Sequence, residues 1–271
     1  MRVGAVAQIS REATNQSHCP HRMTATGSIG IGFAHFPPDA DQWRIIEAVV
    51  DALVPLGDDP GAIATARRVK EQISRCFSGL QNVASARTAI RGLIEQGCRP
   101  GGEAESAFAS LVSERRLNMA IQTAVRMASA MRDWRDCQPE SVLLMWPAAE
   151  FYFAEGHDEP WDWKDVWRRN GGRFFQGSTK SPGERMIALK DDPIWLRINA
   201  FGLRFPPFDF ESGMDTRDID AEEAEGVGLL VPSKVVLPLT ARWIRSYLDA
   251  LDLGGVVRAR FEKYLAGTLP A

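Results

Sequence analysis

The sequence lacks any apolar run near the roughly 18 to 20 residues needed to span a bilayer, so no transmembrane helix is expected. Met1–Ile9 is short, is broken by Gln8 and runs into polar Ser10-Arg11-Glu12, so it is not read as a signal peptide. Cysteine is scarce: Cys19, Cys76, Cys98 and Cys137 lie far apart and none belongs to a Cys-x-x-Cys pair. That spacing argues against a disulfide framework or a paired metal site and for a reducing compartment. Cys76 and Cys98 fall on or beside helical patterns, where a free cysteine packs as a small hydrophobe. Histidine is equally sparse. His18 and His21 flank Cys19-Pro20, which gives three zinc-type ligands without a second half-site, and His35 and His157 are isolated. No cofactor or metal is expected. A net charge of −3 excludes a global basic field, so any nucleic-acid contact has to be a local patch.

The 45% hydrophobic and 25% charged content describes a globular chain, long enough at 271 residues for one large or two ordinary domains. Residues 1–36 are polar and glycine-containing with no helical period, which suggests an extended or partly ordered arm. Gly27-Ser-Ile-Gly30-Ile-Gly32 lacks the Walker lysine and the dinucleotide spacing, and a hinge is the simpler reading.

A helical region follows, over 37–155. Trp43, Ile46, Val50 and Leu53 recur at three- and four-residue spacing. Asp59-Pro60 supplies an N-cap and a first-turn proline to a helix through Ile63, Val69, Ile73 and Phe77, closed by Gly79. A third helix carries Ala86, Ile90, Leu93 and Ile94 and ends at Gly97. The clearest pattern starts near Ser110 or Ser113, with Leu117, Ile121, Ala124, Val125, Ala128 and Met131 along one stripe. Small residues at 124, 128 and 130 leave room for a close helix neighbour. Pro139 stops it, and Glu140 to about Phe153 reads as a further helix that bends or restarts at Pro147.

From 156 to 271 the texture is mixed. Pro160–Trp167 predicts a short helix ending at Gly171-Gly172, and Arg185–Leu189 a strand. Leu203–Phe210, with two prolines and three phenylalanines, reads as extended or looped. Asp220, with Glu223 three residues on, is a capping pattern. The C-terminal helix, through Trp243, Tyr247 and Leu251, should break at Gly254-Gly255. The expected fold class is mainly α: an N-terminal helical bundle followed by a smaller α+β or irregular part and a terminal helix.

The chemistry on offer is thin. Asp209, Glu211, Asp215, Asp218, Asp220, Glu222 and Glu223 could line a hydrolase site, or form a solvated loop and an acidic helix start. Arg115, Arg116, Arg126, Arg132 and Arg135 are the best local basic feature, suited to a solvated face, an acidic partner or packaged DNA. Phe205, Phe208 and Phe210 read either as core or as anchors on a partner.

Three segments carry a resemblance. Ser113–Trp134 looks like the central helix of Mu-type minor head (head-morphogenesis) proteins of tailed bacteriophages. Trp146-Pro-Ala-Ala-Glu-Phe151, followed by Asp162-Trp163 and by Trp167 through Gly171-Gly172, is similar to their next block. Met186–Trp195, Phe205-Pro-Pro-Phe-Asp-Phe-Glu-Ser-Gly-Met214 and Asp218–Ala224 resemble the C-terminal block of one branch. The likeness spans roughly residues 85 to 232. The His-Pro-x-Cys-Arg-Cys-like ending of many members is absent from the C-terminal half. The resemblance implies a virion protein assembled in the host cytoplasm, without enzymatic activity or membrane contact. Such a protein associates with portal or capsid in a multi-subunit assembly and assists head assembly or genome delivery. The five arginines and three phenylalanines named above would then be its partner-binding residues. An enzyme using the 209–223 carboxylates, or a head–tail connector, is the alternative.

Overall fold

The computed structural model describes residues 37–97, 105–154, 162–177, 183–231 and 235–266. The arm at 1–36 lies outside the described residues, as do the glycine-rich stretch, all four histidines, Cys19 and Cys98. The chain is mainly α with a small α+β part, as its sequence led us to expect.

Helix α1 (Ala40–Leu53) opens on a capping box: the Asp39 carboxylate accepts the Gln42 N–H, and the Gln42 side chain accepts the Asp39 N–H. Asp59 caps α2 (Pro60–Phe77), with proline at the first position. Helices α3 (Val83–Gly97) and α4 (Glu105–Leu111) follow, and Ser113 caps α5 (Glu114–Asp136). α5 is the axis of the bundle and touches α1, α2, α3 and α4. Its interior face is wider than a single stripe, taking in Met119, Ala120, Thr123 and Met127 beside Leu117, Ile121, Ala124, Ala128 and Met131. The small residues admit α1 so closely that the Gln42 side chain donates to the Ala128 carbonyl at 2.9 Å.

The helix expected over Glu140 to about Phe153 does not form as one piece. α6 (Glu140–Met145) ends before Pro147, and β1 (Ala148–Phe153) starts directly after it. Proline removes a helical N–H and biases the residue before it toward extended backbone. The six residues that follow find sheet partners on both sides. α7 (Trp163–Arg169) leads to β2 (Phe174–Gln176) and β3 (Glu184–Leu189), then to α8 (Ile194–Ile198), β4 (Met214–Ile219) and α9 (Ala221–Gly226). The sheet is antiparallel in the order β2-β3-β1-β4, with Glu150 of β1 opposite Ile187 on one side and Arg217 on the other.

The two sheet faces pack differently. Ala149, Phe151, Met186 and Ala188 meet Trp163 and Trp167 of α7, Trp195 of α8, and Phe208. Ala148, Ile187, Leu189 and Ile219 meet Leu143, Ala224 and Val236 on the other face. The chain then returns to the bundle through α10 (Ala241–Ala250) and α11 (Leu253–Leu265), which bury Ile244, Leu248, Leu253, Val257 and Phe261 with α1 and α5. The break between them falls at Leu251-Asp252, not at Gly254-Gly255 as expected. Asp252 accepts the Gly255 N–H at 2.9 Å, so both glycines sit inside the first turn of α11.

Candidate functional site

The α5 arginines are engaged within the chain. Arg115 donates to the Tyr264 hydroxyl at 2.7 Å and lies over its ring. Arg116 bonds the Leu53 carbonyl and covers Phe261; burial, with Arg258 nearby, lowers its pKa. Arg132 reaches Gln42 at 3.3 Å and sits over Phe77. Arg135 pairs with Asp39 at 2.8 Å. Arg126 stands exposed on the same helix. A central helix has neighbours on most sides, so long cations leave it by laying their stems along those neighbours.

Phe205, Phe208 and Phe210 are 2%, 0% and 4% exposed, so they are core rings, not the surface anchors considered for a partner. Phe208 meets Phe151 edge-on at 4.7 Å and packs on Trp195. Phe205 lies against Trp134 of α5, and Phe210 against Phe201 and Phe261. Asn199 holds the irregular turn between them, donating to the Phe205 and Pro207 carbonyls at 2.9 and 3.2 Å.

The carboxylates at 209–223 do not gather. Asp209 forms a two-pronged pair with Arg260 of α11. Glu211 accepts the Tyr264 hydroxyl, and Asp215 accepts the Thr216 N–H at 2.6 Å. Asp218 pairs with Lys190 at 2.7 Å, and Asp220 caps α9. Glu223 joins a buried network in which one Glu150 oxygen accepts Arg185 Nε and Nη2 at 3.0 and 2.6 Å and Arg217 Nε at 2.7 Å, while Arg185 Nη1 reaches Glu223. Burial alone would lower the Arg185 pKa, but the hydrogen bonds it donates to Glu150 and Glu223 more than offset this and raise the pKa. Two cations and two anions cancel, and the network ties α9 to the β1–β3–β4 register.

Among the described residues, two shallow grooves stand out. One, about 430 Å³, lies between Glu114, Arg115, Asn118, Met119 and Gln122 of α5 and Glu211. The other, about 530 Å³, runs between α1 and the α10–α11 corner. Among the described residues no three His, Cys, Asp or Glu side chains are grouped to hold a metal ion, and no helix is long and apolar enough to cross a membrane.

The surface feature that sequence reasoning missed is apolar. Leu144 and Met145 of α6, Val231, Val235 and Leu237 are exposed, Leu237 at 69%. They flank one buried cluster, through Leu143, Leu230 and Val236. The signal was present in Val142-Leu-Leu-Met145: four consecutive apolar residues on a six-residue helix cannot all face inward. Singly exposed apolar side chains are ordinary, whereas a contiguous apolar patch is a candidate interaction surface. Comparison with known proteins finds no matching family, no matching curated protein and no matching solved structure.

Proposed function

We propose that the chain is a structural protein of a phage or prophage virion: a minor head protein that binds other head components near the portal and assists head assembly or genome delivery. One observation carries the proposal. The residues of the second and third segments that resemble minor head proteins form one physical cluster: Phe151, Trp163, Trp167, Met186, Trp195, Phe208 and Met214 pack together on one sheet face. That the segments share one core supports reading the likeness across them as one folded unit. The first segment is α5, around which the bundle is built.

The exposed apolar side chains Leu144, Met145, Val231, Val235 and Leu237 agree with a protein that works through protein contacts. The three phenylalanines are buried, and Arg115, Arg116, Arg132 and Arg135 bond within the chain, which leaves exposed Arg126 and the apolar side chains as the more available contacts. The test is composition. Mass spectrometry of procapsids and mature particles, purified after induction of a host carrying the gene, should find the chain in one or both. Deleting the gene should lower the yield of infectious particles. Absence from both particle types would overturn the proposal.

A further inference from the structure

We infer that Lys190 and Asp218 form a modification site at which the chain joins to itself, through an amide between Lys190 Nζ and Asp218 Cγ. This inference stands apart from the virion reading and rests on one buried pair. Ala149 of β1 lies opposite Ala188 on one side and Asp218 on the other. The ladder runs one bond past β3, where the Lys190 N–H donates to the Pro147 carbonyl at 2.9 Å. Lys190 is two residues beyond Ala188, so strand alternation puts it on the face that carries Ala188 and Asp218. Ala149 sets only a methyl between the outer strands there. The lysine stem crosses β1 and brings Nζ within 2.7 Å of Asp218 Oδ1.

The lysine side chain is 10% exposed and the aspartate 2%. Among the described residues neither Nζ nor Oδ2 has a hydrogen-bond partner, and the approach of Nζ to Oδ1 itself lacks hydrogen-bond direction. The other buried acids differ: Glu150 and Asp209 each accept at least two directed hydrogen bonds from arginine. A buried ion pair without such bonds is costly, and condensation removes both charges. The atoms balance within the pair. Once a proton has passed to the carboxylate, the lysine nitrogen attacks Cγ, and the bond from Cγ to one carboxyl oxygen breaks. Of the three ammonium protons, two leave with that oxygen as water and one stays as the amide N–H. Neither an oxidant nor an activating group takes part. Groups held in contact react at effective concentrations on the order of 10⁵ to 10⁸ M, and burial withholds the water that the reverse reaction needs. The link closes a loop from 190 to 218 that contains α8 and Phe201–Phe210, whose rings enter both main cores.

Intact mass spectrometry of the purified full chain, repeated after days of incubation, should find it lighter than its sequence by one water molecule. Tryptic mapping should then give a branched peptide joining residues 190 and 218, with no cleavage after Lys190. K190R keeps the cation but not the nucleophilic amine, and it should hold its full sequence mass. If K190R misfolds, K190M/D218L serves instead, because it removes both ions together and leaves no unpaired charge. It too should hold its full mass. Wild-type chain that keeps its full sequence mass after incubation, and yields the two tryptic peptides separately, is an ordinary ion pair and would overturn the inference. A succinimide at Asp218 also loses one water, but it would persist in K190R and leave Lys190 open to trypsin. That outcome would overturn the inference equally.

Discussion

Phe208 is the residue on which the sheet core closes. Its ring touches Phe151 and Trp195 and has no exposed surface, so truncation leaves a void walled by aromatic neighbours that are themselves locked. Phe208→Ala should cost about 3 to 5 kcal/mol of stability, visible as a large fall in denaturant midpoint. A change below about 1 kcal/mol would mean that the ring is not core. Cys76 is a second test at this scale. Burial pushes its thiol up to about 11, against a small opposing effect of Arg75. A pKa raised in the folded state favours the neutral thiol. The associated stability is complete below the ordinary value of 9.0 and is lost as pH rises toward 11. The thiolate is the reactive form. Iodoacetamide at pH 8.5 should therefore leave Cys76 unmodified in native protein and label it once the chain is unfolded, as peptide mapping would show.

Caps and pairings set the elements. Asp39 does two jobs, accepting N–H groups at the start of α1 and pairing with Arg135 at the end of α5. Burial alone would raise its carboxyl, but the Gln42 N–H and Arg135 together hold it below the ordinary 3.8. A lowered carboxylate contributes stability above the unfolded pKa and loses it as pH falls through the folded one. Asp39→Asn keeps a capping oxygen and loses the ion pair. The mutant should be less stable than wild type at pH 7, by about 1 kcal/mol, and the gap should close below about pH 4. A gap independent of pH would show that the cap alone matters.

Local chemistry of this kind was legible in the sequence. The starts of α2, α5 and α9 follow from Asp59-Pro60, Ser113 and Asp220, and the end of α3 from Gly97. β1 was not legible, because Ala-Ala-Glu has no strand preference of its own. Its extended form is imposed by β3 and β4, at least 30 residues further along the chain. The role of Phe205, Phe208 and Phe210 was hidden for the same reason. A proline-bracketed segment reads alike whether its rings face water or core, and only the arrival of α5, α8 and α11 decides. The exposure of Leu144 and Met145 could have been suspected from the overloaded Val142–Met145 turn, but that of Val235 and Leu237 depends on Val236 joining the buried cluster that holds Leu143.

At the scale of the whole molecule, the 201–210 segment is shared between the two main cores. Phe201, Leu203, Phe205 and Phe210 enter the helical core, and Phe208 enters the sheet core. The helical core also takes Ile244, Leu248, Leu253, Val257 and Phe261 from the last two helices. A helical region ending at 155 would thus keep α1 to α5 and lose nine buried side chains packed against them. It would also carry β1 without β3 or β4, leaving both edges of an apolar strand unpaired. A fragment of residues 37–155 should accordingly show helical circular dichroism but no cooperative thermal transition, and it should aggregate or bind a hydrophobic dye at micromolar concentration. The intact chain, with one segment inserted in both cores, should unfold in a single transition in which far-ultraviolet circular dichroism and tryptophan fluorescence coincide, because tryptophans of both cores, Trp134 and Trp195, report on contacts made by that segment. A fragment that melts cooperatively on its own, together with two separable transitions in the full chain, would show that the helical and mixed parts are independent domains after all.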